Sequence, residues 1–200
     1  AVKKLTFLGF EISPDGVSTN KQRTEILASA KRPESVHQLR KFIGCINFVR
    51  KYIQNFGILV TGLTKLLRKG AKWEWDDEAE NSFQQLRSAL IEPPVLCWPD
   101  NNKPFCVFTD AATSKGIAWS VMQEQQDGTL RPVLYGGRAL RGTEKSFSAV
   151  EAELLALVEA FRANRHLLAA TKTTIFSDAL NLSTLKSMKP PANTRLMRWL

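Results

Sequence analysis

The sequence predicts an α+β chain in two parts: a small basic helical bundle preceded by a β-hairpin, followed by a mixed α/β sheet with helices. Three observations predict this arrangement. Apolar residues recur at three-and-four spacing up to about residue 72, whereas short strand-like runs dominate from residue 105. A proline-rich stretch, residues 93–104, lies between the two patterns. The net positive charge belongs to the first part, because residues 1–75 hold 14 Lys and Arg against 5 acidic residues, whereas residues 76–200 hold 14 of each.

The composition indicates a globular chain, and its net charge favours an anionic partner. Hydrophobic residues make up 44% of the 200 residues and charged residues 24%, which is ordinary for a folded domain. Three cysteines without a C-x-x-C pair predict neither a zinc ribbon nor a disulfide framework. No apolar stretch approaches the roughly 20 residues that span a bilayer, so no membrane partner is expected. The net charge of +9 favours nucleic acid as the partner, although a merely soluble basic surface is the alternative.

The first part begins with a predicted hairpin, in which residues 5–12 are apolar and residues 13–16 form a turn. A short helix is predicted over residues 21–30, and it ends before Pro33. A long amphipathic helix is predicted to begin at Pro33 and continue to residue 53. A third helical stretch, which two glycines interrupt, ends at residue 70.

The second part begins with an acidic turn at residues 76–78, which favours the start of a helix that Pro93 and Pro94 end. Beyond residue 104 the sequence predicts three strands, a helix over residues 146–168 and a fourth strand. The predicted strands cover residues 105–110, 116–122, 131–135 and 173–178. We therefore divide the chain into residues 1–75, a connecting segment 76–104, and a sheet-forming unit 105–200.

Two aspartates, Asp110 and Asp178, each close an apolar strand. Ligands of open α/β sheets lie at the carboxyl ends of strands, so both carboxylates could converge on one site. The alternative is that each aspartate only starts a turn. Mg²⁺ is bound through carboxylate oxygens, and two such ions serve the hydrolysis of a phosphodiester.

The predicted helix after the third strand carries three glutamates. At 100° per residue, Glu151 and Glu153 flank its apolar stripe on opposite sides, whereas Glu159 is expected to point to solvent. Either flanking glutamate could reach a site beside the sheet, and periodicity does not choose between them.

A series of short motifs resembles, in order and spacing, the reverse transcriptases of Ty3/gypsy-type LTR retrotransposons downstream of their polymerase centre. The motifs are FLGF at 7–10, LRKFIG at 39–44, FVRKYI at 48–53, LTKLL at 63–67, WEW at 73–75, PVL at 94–96, FTDA at 108–111, PVLY at 132–135, RAL at 138–140, ELLAL at 153–157 and FSD at 176–178. The resemblance covers essentially the whole chain.

The resemblance implies roles for both parts. The hairpin with Phe7, Leu8 and Gly9 resembles a primer grip, residues up to 75 resemble the thumb, and the sheet resembles a ribonuclease H domain. The ELLA pattern makes Glu153 the catalytic glutamate, with Asp110 and Asp178 as the other two carboxylates of the site. These three residues would bind two Mg²⁺ ions, for which Mn²⁺ could substitute, and would cleave RNA in an RNA/DNA hybrid. The preferred phosphate contacts, which would position a duplex without reading its sequence, are Arg40, Lys41, Arg50 and Lys51.

The resemblance also sets expectations about what lies elsewhere. The polymerase aspartates of the family lie upstream of its FLGF motif, so this chain is expected to lack that centre. The fourth carboxylate is expected beyond Leu200, so that the ribonuclease H domain would be incomplete at its carboxyl end. The expected partners are an RNA/DNA hybrid, a primer-template duplex and the remainder of a pol polyprotein. The alternative function is a degenerate or domesticated remnant that only binds nucleic acid.

Overall fold

The computed structural model describes residues 4–169 and 171–177. Its described helices are α1 (Lys21–Ala28), α2 (Val36–Phe48), α3 (Phe56–Leu59), α4 (Thr61–Thr64), α5 (Asp77–Ser88), α6 (Ala149–Ala163) and α7 (Arg165–Leu168). Its strands are β1 (Leu5–Phe7), β2 (Phe10–Ser13), β3 (Gly16–Thr19), β4 (Phe105–Ala112), β5 (Gly116–Glu124), β6 (Leu130–Ala139) and β7 (Thr173–Ser177).

The amino-terminal strands form a small antiparallel sheet in the order β1-β2-β3. The sequence predicts one turn in this region, and the structure contains a second one at Leu8 and Gly9. Both residues have positive φ, 49° and 83°, which a two-residue hairpin loop with the twist of its strands requires. The apolar stretch read as a single strand is therefore two short strands that pair with each other.

The long helix predicted from Pro33 is shorter in the structure. It begins at Val36 because the Ser35 side chain caps it, accepting a hydrogen bond from the backbone N–H of Gln38 at 3.3 Å. It ends at Phe48 and is followed by a single 3-10 turn, Arg50–Tyr52. The third helical stretch is likewise divided, into α3, α4 and a further 3-10 turn.

The helices α1 to α5 share one hydrophobic core with the first sheet. Leu39 and Ile46 of α2, Leu63 of α4 and Phe83 of α5 are fully buried in it. The rings of Phe42 and Phe83 lie 5.0 Å apart. Although α5 falls in the segment that the sequence assigns to a connection, its apolar face packs into the core of the helical part.

The second core lies between α6 and a four-stranded sheet of order β6-β5-β4-β7. The pairs β4-β5 and β5-β6 are antiparallel and β4-β7 is parallel, so the sheet is mixed, as predicted. The register of the parallel pair places Thr109 beside Ser177. The predicted helix over residues 146–168 is divided near Asn164, where α6 ends and the short α7 begins.

The proline-rich segment is joined to both sheets. Leu96 exchanges two backbone hydrogen bonds with Val17 of β3, at 2.8 and 2.9 Å. The next residue, Cys97, donates its backbone N–H to the carbonyl of Pro132 in β6 at 2.8 Å. The segment therefore ties the two cores together. In the described part of the chain, no helix combines the length and the apolar character that crossing a membrane requires.

Candidate active site and basic surface

The contacts of the two glutamates at the start of α6 differ. Glu151 takes part in the helix cap, since its Oε2 accepts hydrogen bonds from the backbone N–H and the hydroxyl of Ser148, both at 3.0 Å. Glu153 faces the sheet: its Oε1 accepts the backbone N–H of Ala111 at 3.1 Å, and its Oε2 accepts the hydroxyl of Ser177 at 3.5 Å. The structure thus brings Glu153, and not Glu151, to the carboxyl ends of β4 and β7.

Asp110 lies at the same end of the sheet, immediately before Ala111. Its side chain is exposed, and its Oδ2 accepts a hydrogen bond of 3.1 Å from Nδ2 of Asn55, in the helical part. Asp178 lies outside the described residues, directly after Ser177 in the sequence. Of the three predicted carboxylates, the structure therefore describes two, and both lie where β4 ends.

The donor chemistry of this site suits a hard divalent cation, because Mg²⁺ is bound mainly by carboxylate and other oxygen ligands. Among residues 4–169 and 171–177, no group of three or more His, Cys, Asp or Glu side chains is arranged to hold a metal ion. The assignment of Asp110, Glu153 and Asp178 as metal ligands therefore stays a prediction.

The expectation that Glu159 points to solvent is wrong. Its Oε2 lies 3.4 Å from Nε of Arg138, which also makes two hydrogen bonds of 2.7 and 2.9 Å with the Glu144 carboxylate. The hydrogen bonds from Arg138 lower the pKa of Glu144 below its ordinary value. The helical pattern could not predict this because Arg138 comes from β6, 21 residues away from Glu159.

The four predicted phosphate-binding side chains are all exposed, but they form two groups. Arg40 and Lys41 lie on α2, whereas Arg50 and Lys51 lie on the 3-10 turn after it. The second pair lines a groove of about 560 Å³ between the helical part and the sheet. Arg141 and Arg138 also line it, the latter with its charge paired to Glu144 and Glu159, so exposed cations from both parts of the chain line one groove, hereafter the basic groove.

The turn between β1 and β2 exposes apolar side chains. Phe7 is 56% exposed and Leu8 74%. Gly9 follows in the left-handed conformation, close to the guanidinium of Arg23. The structure thus places these three residues together at a projecting hairpin tip, and their contact with nucleic acid stays a prediction.

Sequence reasoning missed Asn55. Its side chain contacts Asp110 across 55 residues of sequence. The clue in the sequence is the residue type: after Gly, Asn best tolerates a left-handed backbone. Asn55 has this conformation, with φ 57°. Its partner could not be read from the sequence, because the contact depends on how the two parts of the chain pack.

Comparison with known proteins agrees with these observations. Residues 75–175 match the model of the RNase H-like domain found in reverse transcriptase. The chain is 31% identical over 190 residues to the retrovirus-related Pol polyprotein from transposon 412 of Drosophila melanogaster, covering 95% of this chain and 15% of that polyprotein. It is 28% identical over 199 residues to the transposon Tf2-3 polyprotein of Schizosaccharomyces pombe, covering 98% of this chain and 15% of that polyprotein. The chain thus spans less than a fifth of these relatives.

Solved structures show the same fold. The foamy viral protease-reverse transcriptase in complex with double-stranded DNA matches with a TM-score of 0.76 at 23% identity, covering 100% of this chain and 42% of that one. The same viral protein in complex with an RNA/DNA hybrid matches with a TM-score of 0.71 at 22% identity, covering 99% of this chain and 27% of that one. These matches confirm the predicted fold class, and the sequence matches confirm the resemblance to retrotransposon pol polyproteins.

Proposed function

The chain belongs to the family of RNase H-like domains found in reverse transcriptases, and from this membership we propose that it forms a ribonuclease H site on its sheet and grips a duplex with its helical part. The observation that carries the proposal is the position of Glu153. Its carboxylate accepts hydrogen bonds from Ala111 at the end of β4 and from Ser177 at the end of β7. Ala111 follows Asp110 in the sequence, and Ser177 precedes Asp178. A carboxylate at the carboxyl ends of adjacent parallel strands is well placed to share a ligand with acidic residues there.

Asp110, Glu153 and Asp178 would hold Mg²⁺, or Mn²⁺ in its place, through carboxylate oxygens. Two bound ions would activate water and stabilise the leaving oxygen of a phosphodiester. The backbone N–H of Ala111 and the hydroxyl of Ser177 orient the Glu153 carboxylate, and such supporting hydrogen bonds keep ligands in position. The substrate would be the RNA strand of an RNA/DNA hybrid.

The exposed cations would bind the phosphates of that hybrid and of a primer-template duplex. Arg50 and Lys51 line the basic groove together with Arg141, and Arg40 and Lys41 form a separate exposed group on α2. Such contacts position a duplex without reading its sequence. The exposed tip formed by Phe7, Leu8 and Gly9 would contact the same duplex.

In its biological setting, the chain would act as a region of a retrotransposon pol polyprotein whose other regions polymerise DNA on an RNA template. The chain matches the retrovirus-related Pol polyprotein from transposon 412 and the transposon Tf2-3 polyprotein over almost its whole length. The remainder of such a polyprotein is therefore its proposed partner.

The test is the cleavage of a hybrid that carries a label on its RNA strand, with Mg²⁺ in the buffer. We expect the chain, tested as part of its polyprotein, to cleave the RNA strand, and Asp110→Asn to abolish cleavage while the hybrid still binds. Asp127→Asn is the matched control, because Asp127 lies in the β5-β6 turn and, among the described residues, bonds only within that turn and to Arg131. Binding without cleavage in all three proteins would favour the second candidate, a nucleic-acid-binding remnant.

A further inference from the structure

Asn55 links the helical part of the chain to the candidate active site. It lies between the 3-10 turn that bears Arg50 and Lys51 and the start of α3. Its Nδ2 donates a hydrogen bond of 3.1 Å to Oδ2 of Asp110. No other hydrogen bond to the Asp110 carboxylate is made by the described residues. The nearby cation Lys115 pairs instead with Glu78, at 3.2 Å.

The backbone of Asn55 leaves its side chain available for this contact. Asn55 is the residue that precedes α3, and its carbonyl accepts the backbone N–H groups of Ile58 and Leu59, both at 2.9 Å. An Asn at such a position usually caps the helix with its side chain, but here no such hydrogen bond is made. Its backbone is left-handed, with φ 57° and ψ 22°. In this conformation the side-chain amide donates to Asp110 and does not cap the helix.

The residues after Asn55 fix its position relative to the sheet. A β-carbon on Gly57 would lie 2.6 Å from the carbonyl carbon of Gly137 and 2.7 Å from the carbonyl oxygen of Ile117. A β-carbon on Gly116 would in turn lie 2.7 Å from the carbonyl oxygen of Gly57. The backbones of α3, β5 and β6 therefore meet without intervening side chains, and Asn55 has little freedom to move away from Asp110.

We propose that Asn55 is a positioning residue for the candidate active site, holding the Asp110 carboxylate in the orientation in which it would bind a divalent cation. This inference rests on the proposed function. A neutral amide suits the role, since it orients one carboxylate oxygen without cancelling the negative charge that attracts the cation, as a lysine would. Hydrogen bonds of this kind are the usual support of metal-binding carboxylates.

The arrangement also makes the site depend on the helical part. Because Asn55 follows the turn that carries Arg50 and Lys51 by only a few residues, a duplex bound by these cations would lie near the segment that orients Asp110. The helical part would then contribute a side chain to the active site as well as a binding surface.

The test is Mn²⁺ binding to the 200-residue chain, measured by isothermal titration calorimetry, with Asn55→Gly as the variant. Glycine adopts positive φ readily, so this change removes the amide and leaves the backbone relaxed. The matched control is Ser114→Gly, which makes the same kind of change at φ 63° in the β4-β5 turn, without a contact to Asp110. Thermal unfolding of each variant checks that the fold is kept.

We expect Asn55→Gly to weaken Mn²⁺ binding about tenfold, the effect typical of outer-shell partners, and Ser114→Gly to bind as the unchanged chain does. Excess Mn²⁺ should restore hybrid cleavage by Asn55→Gly. Equal affinity of Asn55→Gly and the unchanged chain, or unfolding of Asn55→Gly, would overturn the positioning role alone. An unchanged chain that binds no Mn²⁺ would instead overturn the proposed metal site, and the positioning role with it.

Discussion

Gly57 and Arg138 meet backbone to backbone: a β-carbon on Gly57 would lie 2.2 Å from the backbone nitrogen of Arg138. This distance is far below van der Waals contact, so no side chain fits between α3 and β6. This close packing of the two backbones also holds Asn55 against Asp110, because Asn55 lies two residues before Gly57. The candidate active site therefore depends on a close junction between the helical part and the sheet.

Substitution of Gly57 by alanine should destabilise this junction. The added methyl group would overlap backbone atoms of β6 that cannot rotate away, and overpacking of this kind costs about 2 kcal/mol of unfolding free energy. Urea unfolding followed by tryptophan fluorescence measures this loss.

The matched control for this prediction is Gly44→Ala. Gly44 is an exposed position inside α2, and no atom of the described residues outside its own helix lies within 4 Å of its would-be β-carbon. Alanine favours a helix interior over glycine, so we expect a gain of about 0.5–1 kcal/mol. A loss of stability in Gly44→Ala equal to that in Gly57→Ala would contradict the account of the junction.

Removing two cations of the basic groove should weaken hybrid binding and its dependence on salt. With Arg50→Ala and Lys51→Ala combined, we expect the slope of log affinity against log salt concentration to become shallower by about 2, one for each lost phosphate contact. Fluorescence anisotropy with a labelled hybrid at several salt concentrations measures the slope.

The control pair for this titration is Lys103→Ala with Lys172→Ala. These lysines precede β4 and β7, and so lie at the end of the sheet opposite Asp110 and Ser177. Their removal lowers the net charge by the same amount. An equal change of slope in both double variants would show that only overall charge matters and that the groove does not bind the duplex.

The ion pair of Arg138 and Glu144 should make stability depend on pH. Hydrogen bonds from Arg138 lower the pKa of Glu144 below the ordinary value of 4.5. A lowered pKa in the folded state adds stability that is fully present above the ordinary pKa and is lost as pH falls through the lowered value.

At pH 7 we therefore expect Glu144→Gln to be less stable than the unchanged chain by about 2 kcal/mol, the order of a hydrogen bond to a charged group. Urea unfolding at pH 7 and at pH 3 should show this difference shrinking in acid. A difference that stays constant between the two pH values would contradict the assignment, because it would not depend on the charge of Glu144.

The sequence predicts the second sheet well because its strands are short apolar runs bounded by turns, and these are local patterns. The start of α2 differs from the prediction because Ser35 caps the helix, so Pro33 lies before it and not at its first position. The direction of Glu159 was wrong because its partner, Arg138, belongs to another element. Local patterns cannot reveal such contacts between distant segments.

The same limit applies to the candidate site. The strand-ending position of Asp110 was visible in the sequence, but helical periodicity left Glu151 and Glu153 equivalent, and only the family resemblance distinguished them. The structure separates the two through contacts of Glu153 with β4 and β7. The bond between Asn55 and Asp110 spans both parts of the chain, so it required their packing to be known.

The most direct test of the account compares two glutamates on the same turn of α6 in the hybrid-cleavage assay with Mg²⁺. In Glu151→Gln the side chain can still complete the cap with Ser148, so we expect cleavage at the rate of the unchanged chain. Glu153→Gln would remove a proposed metal ligand, and we expect cleavage to fall by more than about 100-fold, since even outer-shell losses cost 10–100-fold. Cleavage that survives Glu153→Gln, or that falls equally in both variants, would contradict a ribonuclease H site at the ends of β4 and β7.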